Sequence, residues 1–332
     1  MNDTRTARTT SLGATGPLVF RLGFGAMGLS GMYGATDDAE SVRTIQLAME
    51  RGMTLIDTGD FYGAGHNELL IGRAIAGARE RVQLSVKFGA LRGPDGSWIG
   101  MDTRPAAVKN FAAYSLKRLG VDVIDVYRPA RLDSNVPIED TIGAVADLVR
   151  AGYVRHIGLS EVGLETIRRA QAVHPIVDLQ IEYSLASRGP ESKIFPLLHE
   201  LGIGATLYGV LSRGLLSGSV PRDKGDYRAY LPRFSGANRE KNEAVVTGLT
   251  RFAADRGVSA ASLAIAWVLA RQPSFVPLIG ARTPAQLEQA FAALERPLTS
   301  DDLLALERIA PASAFAGERY GAEAMRGLDS ER

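Results

Sequence analysis

The sequence predicts an α/β protein built as a (β/α)8 TIM barrel in one domain. Short β-branched runs alternate with amphipathic helical stretches from residue 54 onward, eight strand-and-helix units fit within 332 residues, and no change of composition divides the chain. Regular alternation implies parallel strands joined by helical crossovers, and eight units favour closure over an open, doubly wound sheet.

Taken in order, the strands are expected at LVFRLGFGAM (18–27), TLIDT (54–58), VQLSVKF (82–88), VIDVYRPA (123–130), VRHIGLS (154–160), VDLQIEYS (177–184), IGATLYG (203–209) and FVPLIG (275–280). Between them, stretches such as PAAVKNFAAYSLKRLG and PIEDTIGAVADLVRAG repeat apolar residues every three or four positions, begin at Pro or a polar cap and stop at Gly, which predicts helices. Two connections exceed what a barrel needs: GALRGPDGSWIGMDTR after the third strand and LSGSVPRDKGDYRAYLPRFSGANREK after the seventh. Long loops at the strand ends of a barrel shape or cover a site; Tyr227, Tyr230 and Phe234 in the second loop suit loop packing and ligand cover equally. PLTSDDLLALERIA predicts an extra C-terminal helix. The expected boundaries are a flexible tail over 1–16, the barrel over 17–320 and a C-terminal tail over 321–332.

Composition narrows the function. The formal net charge is +1 with no long basic run, so neither nucleic acid nor an anionic membrane is an expected partner. The absence of cysteine excludes disulfides, thiolate metal sites and thiol nucleophiles. The longest apolar stretch, AASLAIAWVLA (260–270), falls well short of the roughly 20 residues that span a bilayer, and the first residues lack an apolar targeting segment. A soluble cytoplasmic protein without a metal is expected; the oligomeric state is left open. GFGAMG (23–28) has the G-x-G-x-x-G spacing of a dinucleotide fold but no helix directly after it, so it reads as a glycine-rich first barrel loop.

The chemistry concentrates in IDTGDFYG (56–63) and SVKFG (85–89). Asp57 ends the second strand, Tyr62 follows in the loop, and Lys87 ends the third, so barrel closure would bring an acid, a phenol and an amine to one face. A phenol with a pKa near ~10 is a poor acid at neutral pH; an adjacent lysine cation is expected to lower it, with Asp57 keeping that lysine charged. Taken singly, each residue suits a cap, a packed ring or a solvated charge. Their order and spacing favour a site.

With GFGAMGLSGMYG, IDTGDFYGAGHNELLIGRA, VKFG, GYVRHIGLSE, LQIEYSL, YGVLSRGLL and PLIGARTPAQLEQA in this order, the chain resembles the aldo-keto reductases from about residue 18 to 320, especially bacterial and plant members of the auxin-induced or pyridoxal-reductase type. The resemblance implies NADPH-dependent reduction of an aldehyde or ketone, reversible as alcohol oxidation, with a small carbonyl or alcohol substrate. It makes Tyr62 the general acid, Lys87 its activator and Asp57 the partner of Lys87. It places Ser160 and Gln180 on the nicotinamide carboxamide, with Glu161 where Asn is common, and stacks Tyr208 on the ring. Ala26, Met27, Gly209, Leu211 and Arg213 would line the cofactor path. Gly280, Arg282, Thr283, Gln286 and Gln289 would surround the adenosine and its 2′-phosphate, the basis for preferring NADPH to NADH; Ala290 replaces an Asn common there. Tyr33, Phe61, Phe88, Trp98 and Ala130 are the expected substrate pocket. The competing reading within the family is a cofactor-binding regulatory module with little turnover, like potassium-channel β subunits.

One departure stands out. DVYRPARLD (125–133) puts Ala130 where many relatives have a catalytic histidine. Strand parity places Arg128 on the same face, so Arg128 is expected to point inward and pair with Glu182; the space above Ala130 is expected to hold water or a bulkier substrate, with Arg128 as a further candidate contributor. Of the four histidines, only His66 lies near the expected rim.

Overall fold

The computed structural model describes residues 8–34, 36–221 and 226–332. Residues 1–7 of the expected tail and 222–225 of the second long loop lie outside the described residues.

Eight parallel strands close into a barrel in which every strand pairs with its sequence neighbours and the sixth pairs with the fifth to complete the circle. The strands are β1 (Gly23–Gly25), β2 (Leu55–Gly59), β3 (Gln83–Phe88) and β4 (Ile124–Pro129), then β5 (Val154–Ser160), β6 (Ile176–Glu182), β7 (Gly204–Tyr208) and β8 (Val276–Ile279). Helices alternate with them as α1 (Asp38–Glu50), α2 (His66–Ala74), α3 (Pro105–Leu119), α4 (Ile138–Arg150), α5 (Leu164–Val173) and α6 (Ile194–Leu201). The pair α7 (Gly236–Ala254) and α8 (Ala260–Arg271) precedes β8, and α9 (Pro284–Glu295) follows it. The expected extra helix is α10 (Ser300–Ile309), opened by a reciprocal capping box between Thr299 and Asp302.

Local chemistry explains these elements. Asp37 accepts the Glu40 amide at the start of α1, Pro105 opens α3, and Gly120 ends α3 in the left-handed region. Strand alternation then separates two layers. Outward residues such as Ile56, Leu84, Val86, Tyr127, Leu159 and Ile181 join the helices in the main core.

Inside the barrel the lower layer is apolar: Leu55, Val126, Val276 and Leu278 meet Leu12 and Val19. Those last two come from an antiparallel hairpin of Thr9–Ser11 with Leu18–Phe20. Two expectations change here. Within the expected tail Thr9–Ser11 form a strand and Leu12 packs at the open bottom of the barrel, and the segment read as one strand over 18–27 divides between that hairpin and β1.

The long connection after β3 contains a second hairpin, Ala90–Arg92 with Trp98–Met101. Residues 322–326 form a short helix, α11, and the chain end folds back onto the barrel mouth. Among the described residues, no helix is long and apolar enough to cross a membrane.

Candidate active site

Above the apolar layer the barrel interior turns polar. Register places Asp57 beside Ser85 and Lys87 beside Arg128, with Gln180 between Ser160 and Thr206. Alternation aims these side chains into the barrel toward its strand-end face, where enzymes of this architecture keep their sites.

Asp57 is the hub. Its Oδ2 accepts Lys87 Nζ at 2.5 Å, and its Oδ1 accepts Ser85 Oγ and Gln180 Nε2, both at 2.8 Å. Burial pulls the Lys87 pKa below its usual value, and the attraction of Asp57 opposes that shift. Tyr62 lies in the turn after β2, nine per cent exposed, with Lys87 Nζ 5.1 Å from its ring centroid. Its hydroxyl makes no hydrogen bond with the described residues.

The expected tuning of Tyr62 needs correction. Burial raises its pKa well above the usual phenol value and Asp57 adds to that, outweighing the opposing charge of Arg131. Lys87 is already held by Asp57, whose negative charge offsets it at the phenol.

Arg128 does point inward, but the expected pair with Glu182 does not form. Arg128 Nη1 donates to Asp178 Oδ2 at 2.9 Å and to Thr206 Oγ1 at 3.1 Å, while Nη2 donates to Ser85 Oγ at 2.9 Å. Asp178 lies two layers below Glu182 on the same strand face, level with the guanidinium. Gly158 makes room for this pair: a Cβ there would lie 2.7 Å from Asp178 Oδ1 and 3.2 Å from Arg128 Cζ. Arg128 is wholly buried beneath the site.

Glu182 instead meets Arg213 at 2.9 Å, Arg233 at 3.5 Å and Arg319 at 3.7 Å. Burial would raise its pKa, but these three cations hold it below the usual carboxylate value. Glu161 is engaged from the chain end. Arg319 donates to both of its oxygens at 2.7 and 2.6 Å, Ser330 Oγ to one at 2.6 Å and the Tyr208 hydroxyl to the other at 2.7 Å. Burial again opposes ionisation, yet Arg319 and its neighbours bring the Glu161 pKa down to about 2. Tyr320 places its hydroxyl 3.0 Å from that of Tyr208 and its ring 4.4 Å from the Arg213 guanidinium.

The remaining predicted residues divide by location. Ser160 ends β5 and Gln180 lies two residues before the end of β6, both on the inner face; Ser160 Oγ accepts Arg131, and the Gln180 amide oxygen has no partner among the described residues. Ala26 and Met27 lie in the turn after β1, and Gly209, Leu211 and Arg213 in the irregular turn after β7. Gly209 has φ +68°, and a Cβ there would meet Glu182 Cγ at 2.9 Å.

Gly280, Arg282, Thr283, Gln286 and Gln289 gather at the N-terminus of α9. Thr283 caps that helix, and Gln286 Oε1 accepts the Arg282 amide at 2.8 Å. The Arg282 side chain donates to the Tyr33 carbonyl at 2.8 Å and joins no ion pair among the described residues. Ala290 is packed in the core.

In the expected pocket, Phe61 packs edge-on against Tyr62 at 4.8 Å, Tyr33 lies against Tyr227 at 6.3 Å, and Trp98 is half exposed on the second hairpin. Phe88 does not belong there. As the neighbour of inward Lys87 it points outward, wholly buried and stacked on Tyr127 at 4.2 Å. His66 bonds Ser30 Oγ and Asp38 Oδ1, each at 3.0 Å, and so ties the first loop to α1. In the second long loop the Tyr227 hydroxyl accepts Arg213 Nε at 2.9 Å, while Phe234 is packed with Leu215 and Leu231.

Sequence reasoning missed Arg131, Arg319 and Tyr320. Arg131 stood inside a segment already singled out, but nothing local says that its Nη1 folds back to the Ala130 carbonyl at 2.6 Å.

A closed parallel barrel with an acid and a lysine near its strand ends and a tyrosine in the turn beside them has the architecture in which barrel enzymes keep their sites on that face. Residues 21–311 match the aldo/keto reductase family, and the chain belongs to it. A soybean (Glycine max) protein described as a probable aldo-keto reductase 1 is 40% identical over 327 residues, covering 96% of this chain and 92% of its own. The glycerol dehydrogenase of Gluconobacter oxydans has the same fold at a TM-score of 0.84, with 30% identity over 92% of this chain and 97% of its own. An aldo/keto reductase of Klebsiella pneumoniae, solved with NADP and acetate, superposes at 0.73 with 25% identity, over 94% and 98% of the two chains.

Proposed function

We propose that this protein reduces an aldehyde or ketone to an alcohol with NADPH, and runs in reverse where equilibrium favours oxidation. The observation that carries this reading is the buried Asp57–Lys87 pair at 2.5 Å beneath a tyrosine whose hydroxyl has no partner among the described residues.

The donor set fits a nicotinamide dinucleotide. The Gln180 amide oxygen and Ser160 hydroxyl would hold the carboxamide, and the ring would lie against Tyr208. Arg282, Thr283 and Gln286 at the start of α9 would hold the 2′-phosphate, because a helix N-terminus with an unpaired guanidinium is an anion site. Gly209, Leu211 and Arg213 would border the pyrophosphate path, with Ala26, Met27, Gly280 and Gln289 at its edges. When bound, the reduced cofactor supplies the hydride.

The chain's own part is acid catalysis and positioning. Tyr62 is protonated throughout the neutral range and can give its proton to the carbonyl oxygen as carbon is reduced. The phenolate left behind would face Arg131, whose cation stabilises it, beside the Asp57-paired Lys87. Asp57 holds Lys87 in place and keeps its charge against burial.

Ala130 favours the competing reading of a cofactor-binding module with little turnover. The test is NADPH oxidation with a panel of aldehydes, quinones and ketones, comparing wild type with Tyr62→Phe. Turnover that falls by at least about 10²-fold in the variant, with cofactor binding intact, supports the reductase. Cofactor binding without turnover on any carbonyl, or equal rates in both proteins, refutes it.

A further inference from the structure

We propose that Arg131 is the residue that receives substrate oxygen in place of the ring missing at position 130, and that it selects carbonyls carrying a carboxylate on the adjacent carbon, the 2-oxo acids. The proposal rests on the reductase reading and specifies its substrate.

The geometry starts from Ala130. Its amide continues the sheet by donating to the Phe88 carbonyl at 2.8 Å, so the backbone at the strand end is fixed. The next side chain, Arg131, turns back across it: Nη1 donates to the Ala130 carbonyl at 2.6 Å and reaches Ser160 Oγ at 3.4 Å. A guanidinium carries five N–H donors, and this one uses only Nη1. The edge formed by Nε and Nη2 has no partner among the described residues. That edge presents two parallel donors, which is the geometry that binds a carboxylate or two neighbouring oxygens.

Charge separates Arg131 from every buried arginine around it. Arg128 is paired with Asp178, Arg228 with Asp226, Arg213 and Arg233 with Glu182, and Arg319 with Glu161 and Glu331. Lys87 is paired with Asp57. Arg131 is half-buried, and no carboxylate lies within ion-pair distance of it among the described residues. Its electrostatic neighbours are Tyr208, Tyr320, Glu161 and Tyr62, which places its charge beside the phenol. Among these side chains Arg131 is therefore the guanidinium without a carboxylate partner, and its fork lies next to the proton donor.

A 2-oxo acid answers both features. Its carboxylate takes the free edge, and its keto oxygen lies within reach of Tyr62. Reduction then adds hydride from the cofactor to the keto carbon, shifts the carbonyl π pair onto oxygen, and takes the proton from Tyr62, giving a 2-hydroxy acid and oxidised cofactor.

The experiment compares phenylglyoxylate with benzaldehyde, which lacks the carboxylate, in wild type, Arg131→Met and Arg131→Lys. Wild type should show the higher kcat/KM on phenylglyoxylate. In R131M that value should fall by about 10²–10³-fold more than the value on benzaldehyde, with unchanged NADPH fluorescence quenching. R131K, which keeps the charge without the fork, should recover only part of the loss. A wild-type preference for benzaldehyde, or equal losses on both substrates, overturns the proposal. If no carbonyl is turned over, the reductase reading fails, and calorimetry of phenylglyoxylate with the NADP+-loaded protein still decides the role of Arg131. Binding at least tenfold weaker in R131M upholds it; equal affinity, or no binding to wild type, overturns it.

Discussion

Arg128 and Asp178 face each other across the barrel interior at 2.9 Å, and neither side chain is exposed. The pair braces β4 against β6 directly below the site, and through Ser85 the guanidinium is linked to Asp57. A buried pair is costly to break, because the surviving charge keeps its desolvation penalty without its partner. Asp178→Asn should therefore lower unfolding stability by about 3–5 kcal/mol in urea titrations. The double change Arg128→Met, Asp178→Leu should recover much of that loss. Equal destabilisation by the single and double variants would show that the pair is stabilising beyond mutual neutralisation.

Glu161 gives the molecule an acid limb. Its folded pKa of about 2 lies below the ordinary carboxylate value, so the stability it contributes is present above that ordinary value and lost as pH falls through about 2. Glu161→Gln should weaken the protein at neutral pH and flatten its decline between roughly pH 4.5 and 2. Arg319→Met should do the same, since it removes the donor to both oxygens. Thermal midpoints across that range in all three proteins provide the check.

Asp60 has the opposite slope. Burial, helped by Glu68, raises its pKa to about 8, so the folded chain keeps a proton that the unfolded chain releases near ~4. Stability then falls as pH rises from about 4 to 8 and levels off above the folded value. Asp60→Asn should remove that fall and raise the Tm at pH 8 by at least ~2 °C. An unchanged pH slope would mean that Asp60 is charged in the folded protein.

Arg282 should separate the two cofactors. Hydrogen bonds to a charged group contribute about 1.5–3 kcal/mol, so Arg282→Met should raise the NADPH Kd by roughly 10–100-fold. NADH binding should change little. Fluorescence titration measures both, and parallel losses would remove the 2′-phosphate assignment.

The grouping of Asp57, Tyr62 and Lys87 was legible in the sequence because they lie on β2, in the turn after it and on β3, and parallel closure must bring such strand ends to one face. Strand parity likewise gave Arg128 its inward direction. Parity is a property of one strand, however, and does not say which layer of a strand opposite will face the side chain. Arg128 therefore met Asp178, fifty positions away, and left Glu182 to the arginines around it.

The same holds for the chain end. Arg319 reaches Glu161 across 158 positions, joining a polar tail to a strand end, and no local pattern encodes that contact. Nor does a local pattern encode the backward turn of Arg131. The periodicities of apolar residues, set by the pitch of helix and strand, determined the barrel and where its polar ends lie. Which charges neutralise one another there, and which one is left for a ligand, was decided only when the closed barrel brought distant carboxylates and guanidiniums within reach in a poorly solvated interior.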